Sequence, residues 1–242
     1  MPRAPRLIVL GRQGAGKGTQ CLRLAARLGV RHVATGDLLR AEISARTPLG
    51  LKIEATVSKG HLVVDDLVLE VVSERLRSRE ARLGGYLLDG FPRTVSQAEA
   101  LFDQVGPLAA DLAIELHVPS EVALPRLAAR RVCRSCGAAS TARSTDPPVR
   151  TCEICGGEVA RRADDTEEAI RRRLAIYDQE SGPLLDWLAG KDLLLTMDGI
   201  GRADQVQARL LDALSARLPD AVPWAAGRPG GSDLGVLKGM AG

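Results

Sequence analysis

The chain has 242 residues and 45% hydrophobic content, which suits a globular protein with one sizeable core and inserted lobes. A net charge of +3 and only 2% aromatic residues argue against the basic, aromatic-interleaved surface that a nucleic-acid binder needs. No stretch has the length of a membrane span or the pattern of a secretory leader, so a cytoplasmic protein with no membrane or nucleic-acid partner is expected.

A short apolar run, Leu7–Leu10, reads as a buried strand, and Gly11-Arg12-Gln13-Gly14-Ala15-Gly16-Lys17-Gly18-Thr19-Gln20 follows it. A helix is expected from Thr19 to Leu28. Strand, glycine loop and helix start together make a phosphate cradle. Glycines let backbone N–H groups turn inward, and the helix start adds partial positive charge. Gly11, Gly16 and Lys17 fit G-x-x-x-x-G-K, but Gly18 stands where Ser or Thr is usual and Thr19 comes one later. Lys17 has the reach for β- and γ-phosphates, and the Thr19 hydroxyl can face a metal.

Further strands are expected at Arg31–Ala34, Tyr86–Leu88, Leu112–Val118 and Leu193–Met197. Helices are expected at Glu70–Ser78, Ser96–Gln104, Glu167–Tyr177 and Gln205–Arg217. Short apolar strands alternating with helices imply βαβ units and a parallel sheet. Two segments break the rhythm. Thr35–Val64 reads as short helices with polar punctuation, and Val132–Ala160 holds paired cysteines, prolines and small polar residues. Residues 219–242 are rich in proline and glycine and are expected to be a disordered tail.

Leu87-Leu88-Asp89-Gly90-Phe91-Pro92-Arg93-Thr94 ends a buried strand with an acid and an arginine. Parallel sheets bind ligands at the carboxyl ends of their strands, so Asp89 is expected beside the glycine loop, where it can order magnesium-bound water. Arg93 can clamp a phosphate. Cys133-x-x-Cys136 and Cys152-x-x-Cys155 have the spacing of two metal knuckles. Four thiolates leave no open position, so the metal is structural; zinc fits, and iron takes the same ligands. Cys21 reads as a buried core thiol.

Arg126 and Arg130 are four apart and are expected to share a helix face. With Arg161, Arg162 and Arg171 to Arg173 they flank the cysteine insertion, the pattern of a lid that brings positive charge onto phosphates. Asp164 and Asp165 can serve as ion-pair partners or hinge caps.

Taken together, these residues resemble an adenylate kinase of the long form, with a zinc-bearing lid. The resemblance rests on Gly14–Gln20, Thr35–Arg40, Gly60–Asp65, Gly85–Thr94 with Gln97, and Arg162–Asp165, and spans about residues 7–217. It implies an α/β P-loop nucleoside monophosphate kinase fold, a five-stranded parallel sheet with helices on both faces and two inserted lobes. The implied core is 1–34, 65–126 and 165–218, with an AMP-binding insertion at 35–64 and a lid at 127–164.

The implied reaction is reversible, magnesium-dependent transfer of the ATP γ-phosphoryl group to AMP, giving two ADP. The donor site would comprise Gly14, Ala15, Gly16, Lys17, Gly18, Thr19, Arg126, Arg130, Ala139, Ser140 and the carbonyl of Gly201. The AMP site would comprise Thr35, Gly36, Arg40, His61, Leu62, Val63, Gly90, Phe91, Pro92, Arg93, Gln97, Arg162 and Arg173. Catalysis would fall to Lys17, Asp89, Arg93, Arg126, Arg130, Arg162 and Arg173, and a monomer is implied.

Three positions depart from the family pattern. Arg12-Gln13 replaces a small residue and proline, Pro125 precedes Arg126 where an acid is common, and Ala139-Ser140 stands where an aromatic often stacks on the donor base. A GTP-using or other nucleoside monophosphate kinase is the alternative reading. A P-loop switch protein is a further rival, though it would need no AMP pocket.

Overall fold

The computed structural model describes residues 4–57, 65–77, 84–106, 109–135, 139–141, 150–153, 155–161 and 166–221. Its centre is a parallel sheet of five strands: β1 (Arg6–Leu10), β2 (Arg31–Ala34), β3 (Tyr86–Asp89), β4 (Leu112–His117) and β9 (Leu194–Asp198). The spatial order is β2-β3-β1-β4-β9. The register sets Val9 beside Asp89, Ala34 beside Asp89, and Val9 beside Ile114.

Side chains alternate between the two faces along each strand, as the period of two demands. Leu7, Val9, Leu87, Leu112, Ile114 and Leu116 pack on one face with Cys21 and Leu24 of α1 (Lys17–Leu28). Val206, Leu210 and Leu214 of the last helix, α8 (Ala203–Arg217), complete that layer. Ile8, Leu10, Leu88 and Ala113 face the other side, against α4 (Asp65–Arg77) and α5 (Val95–Val105). Leu184 and Leu188 of α7 (Glu167–Gly190) close this second layer. The expected α/β architecture with helices on both faces is therefore present.

Short helices α2 (Thr35–Ser44) and α3 (Pro48–Val57) follow β2 and pack on one another. Helix α6 (Ser120–Ala128) follows β4. Between α6 and α7 the chain builds a small antiparallel sheet from β5 (Arg130–Cys133), β6 (Ala139–Thr141), β7 (Arg150–Thr151) and β8 (Glu158–Ala160), in the order β6-β5-β8-β7.

Three sequence expectations need correction. Arg126 and Arg130 do not share a helix face: α6 ends at Ala128, and Arg130 begins β5, opposite Thr141. Strand pairing captures the chain at that point, and Pro125 has already removed one helical N–H. The helix expected to end at Tyr177 runs on to Gly190 through Pro183, because Leu184 and Leu188 still have a core to bury into. Trp187 adds an edge-to-face contact with Phe102, ring centroids 5.4 Å apart. At the carboxyl end, Pro219–Ala221 forms a 3-10 turn packed on α8, while the expected tail from 222 onward lies outside the described residues. Among the described residues, no helix is long and apolar enough to cross a membrane.

Leu210 is fully buried between α8, α1 and the sheet. Leu210→Ala is expected to lower the unfolding free energy by about 2–5 kcal/mol, read from the urea midpoint at unchanged slope. A loss below about 1 kcal/mol would contradict this packing.

Candidate active site

The carboxyl ends of β1, β3 and β2 lie side by side, so everything that leaves them converges. The glycine loop leaves β1. Gly11 (φ 135°) and Gly14 (φ 85°) hold left-handed backbone that other residues rarely adopt. A Cβ on Gly14 would also stand 2.6 Å from the Ala123 carbonyl of α6, so the loop fits only as glycine. Gly16 precedes α1, and no side chain caps that helix among the described residues, leaving its first N–H groups facing the loop. Gly18 is exposed and Ala15 is buried.

Lys17 is held inside the curve of this loop. Its Nζ donates to the Gly11 carbonyl at 2.5 Å and to the Arg12 carbonyl at 3.1 Å. Burial pulls its pKa below the ordinary lysine value, with Asp89 acting in the opposite sense and Arg93 in the same one. Asp89 also faces Arg93, and Arg93 in turn faces Arg173. Arg130 reaches the same field from β5. The site thus sets Lys17 and Arg93 against Asp89, with Arg130 beside Lys17 and Arg173 beside Arg93, a surplus of positive charge suited to polyphosphate.

Local hydrogen bonds fix the acid and its turn. Thr35 Oγ1 donates to the Asp89 carbonyl at 3.0 Å. Arg93 Nε donates to the Gly90 carbonyl at 2.9 Å, and its backbone N–H donates to Gln97 Oε1 at 2.7 Å. Thr94 caps α5 by accepting from the Gln97 N–H at 3.2 Å. Phe91 and Pro92 are buried beneath the turn. Arg40 pairs with Asp37 and lies over Gly36.

On the far side, Arg126 Nη1 donates to the Gly199 carbonyl at 3.4 Å, near Gly201, and Arg173 Nε donates to the Ala169 carbonyl at 3.1 Å. Ala139 and Ser140 lie on β6. His61, Leu62, Val63, Arg162 and Cys136 fall outside the described residues.

The described cysteines of the small sheet converge without forming disulfides. The sulfurs of Cys133, Cys152 and Cys155 all lie within 4.8 Å of one another, and Cys133 and Cys155 are 3.5 Å apart. A tetrahedron with Zn–S near 2.3 Å places sulfurs about 3.8 Å apart, so this set fits a thiolate metal. A Cβ on Gly157 would stand 2.8 Å from Ser135 Cβ and 3.1 Å from Cys133 Sγ, which explains a glycine beside the knuckle.

Two features escaped the sequence reading. Arg12 braces the loop: it pairs with Asp178 at 2.6 Å, bonds Ser120, and lies over the Tyr177 ring. Tyr177 donates to buried Glu115 at 3.4 Å; burial, then that carboxylate, push the tyrosine pKa up and keep it a donor. A lone acid in the apolar strand Leu112–His117 was the available signal. The second feature is the surroundings of Cys21. It is fully buried, as expected of a core thiol, but it also faces Asp89 and His32. Burial and then Asp89 hold its thiol protonated. In the native protein Cys21 is expected to resist alkylation at neutral pH and to react once urea unfolds the chain, as read by mass spectrometry. Rapid native labelling would contradict its burial.

Comparison with known proteins gives a consistent picture. The family model described as adenylate kinase matches residues 9–193. An adenylate kinase of Clostridium novyi (strain NT) is 43% identical over 204 residues, covering 83% of this chain and 94% of the relative. One of Trichlorobacter lovleyi is 44% identical, covering 86% and 98%. One of Carboxydothermus hydrogenoformans is 41% identical, covering 86% and 99%.

Proposed function

This chain belongs to the adenylate kinase family and transfers a phosphoryl group from ATP to AMP; from that premise we propose how its residues divide the work. The carrying observation is that Lys17 and Arg93 both face Asp89, which ends β3 at the carboxyl edge of the sheet. Gly14 to Thr19 hold the donor phosphates through backbone N–H groups, with Lys17 moving from its own loop carbonyls onto β- and γ-oxygens. Arg93 and Arg173 clamp the phosphoryl group in flight from the acceptor side, and Arg126 and Arg130 close from the donor side.

The acceptor pocket is formed by Thr35, Gly36, Arg40, Gly90 to Arg93 and Gln97, with His61 to Val63 completing it. Gln97 spends its oxygen on the Arg93 N–H, so its NH2 is the group offered to an adenine ring nitrogen. Ala139, Ser140 and the Gly201 carbonyl face the donor base. Residues 35–64 act as the AMP-binding insertion and 127–164 as the lid, which carries Arg162 onto the phosphates. Closure excludes water, so the phosphoryl group passes to AMP rather than to solvent. The chain works as a cytoplasmic monomer.

Two metals fit the residues present. Mg2+ would supply charge neutralisation at the phosphates, and Asp89 with the Thr19 hydroxyl is the oxygen set that would hold it, directly or through water. Zn2+ would be held by Cys133, Cys136, Cys152 and Cys155 and would replace the core that a sheet of such short strands lacks.

Lys17→Ala and Arg93→Ala are each expected to lower kcat by about 10²–10³-fold, the cost of losing one preorganised charge partner, while the melting temperature changes little. Near-normal turnover in either variant would overturn the division of labour. Stripping the metal with a chelator is expected to lower the melting temperature and to leave kcat nearly unchanged well below it. An unchanged melting curve would remove zinc from its structural role.

A further inference from the structure

Cys21, His32 and Asp89 come from α1, β2 and β3, yet one sulfur, one imidazole nitrogen and one carboxylate oxygen lie within 4.8 Å of one another. His32 Nε2 is already 3.4 Å from Asp89 Oδ2. Cys21 forms the fully buried floor, while the side chains of His32 and Asp89 keep 16% and 13% of their surface exposed, so the cluster opens toward the cleft. Hydrophobic packing accounts for Cys21 as a core thiol but not for the imidazole and the carboxylate that meet its sulfur. Leu24, the next residue on the same helix face, is plain core.

Sulfur, nitrogen and oxygen together are the donor set of a borderline-soft divalent cation. Magnesium and calcium avoid sulfur, whereas zinc and cobalt accept all three. Three protein ligands with a fourth position open to solvent is the arrangement of an accessible zinc site, unlike the closed thiolate set in the small sheet. Ligand atoms around such an ion stand about 3.3–3.8 Å apart, so the cluster must contract by only about 1 Å.

We infer that Cys21, His32 and Asp89 form a second, open site for a thiophilic divalent cation, zinc foremost, and that filling it inhibits the enzyme. On binding, a sulfur–metal bond forms and the thiol proton leaves to solvent. Asp89 then no longer serves the phosphate site, and extra positive charge sits beside Lys17. The inhibitory consequence rests on the role proposed above for Asp89; the binding itself does not.

The test uses the full chain with its four-cysteine site already zinc-loaded, titrated with buffered free Zn2+ or Co2+. Bound metal per chain, the Co2+ spectrum and ADP formation at saturating magnesium nucleotide are followed together. Cys21→Ala and His32→Gln serve as variants, and the second, at a partly exposed residue, covers the case in which the first fails to fold. The wild type is expected to take one more equivalent than either variant and to lose activity as it does so. Its cobalt form should show a thiolate-to-metal charge-transfer band. Both variants should keep their activity at zinc levels that silence the wild type. Equal metal uptake in all three proteins, or a cobalt spectrum lacking that band, overturns the site. An extra equivalent bound with activity unchanged overturns the inhibition and, separately, the role given to Asp89.

Discussion

The parallel pairing of β1 with β3 is the constraint on which the rest depends. It places Val9 opposite Asp89, so the strand feeding the glycine loop and the strand ending in the acid stop at one level. The Gly90 N–H donates to the Val9 carbonyl at 3.3 Å and carries the ladder one step beyond the strands. The same register on β2 brings Thr35 to the Asp89 carbonyl. A slip of one residue would reverse every side chain, turning Leu87 and Leu88 to the wrong layers and moving Asp89 away from Lys17. The apolar alternation that builds the two cores is therefore also what locates the chemistry.

Charge is then arranged about Asp89 and the two cations that face it, Lys17 and Arg93. Lys17 arrives on the loop, Arg93 on the turn after β3, Arg130 on the small sheet and Arg173 on α7, so four elements contribute cations to one cleft. Like charges this close repel and favour an arriving polyanion. Phosphoryl transfer asks little covalent work of a protein and much positioning. Of these cations, Arg130 stands on the small antiparallel sheet, whereas Arg173 stands on α7 and donates to the Ala169 carbonyl of its own helix. Arg12 ties the loop to α6 and α7, the helices on either side of that sheet. That brace stands at the first of the two positions, Arg12-Gln13, where the resemblance leads one to expect a small residue followed by proline.

Much of this was legible in the chain itself. Gln205–Arg217 could be read because apolar spacing and a buried face coincide there, at Val206, Leu210 and Leu214. The glycine loop and the turn from Asp89 to Thr94 could be read because their residue types have few other uses in that order. The small sheet could not: its strands span two to four residues, too short for any period to emerge. Arg130 was misplaced because spacing alone cannot tell where a helix yields to strand pairing. The second half of α7 was missed because Gly182-Pro183 imitates a stop, whereas burial of Leu184 and Leu188 overrides it. His32 gave no local signal at all. Its meeting with Cys21 and Asp89 exists only in the register between β2 and β3 and in the way α1 packs on them.

The most direct measurement follows both fates of the ATP γ-phosphoryl group in one vessel. ADP formation and inorganic phosphate release are recorded from magnesium and ATP, with AMP and then without it. Rapid, AMP-dependent ADP formation with phosphate release slow by comparison is expected if the cations converge on a closed, dry cleft. Phosphate release at a similar rate whether or not AMP is present would contradict it, because the cleft would then be open to water and the acceptor pocket wrongly placed.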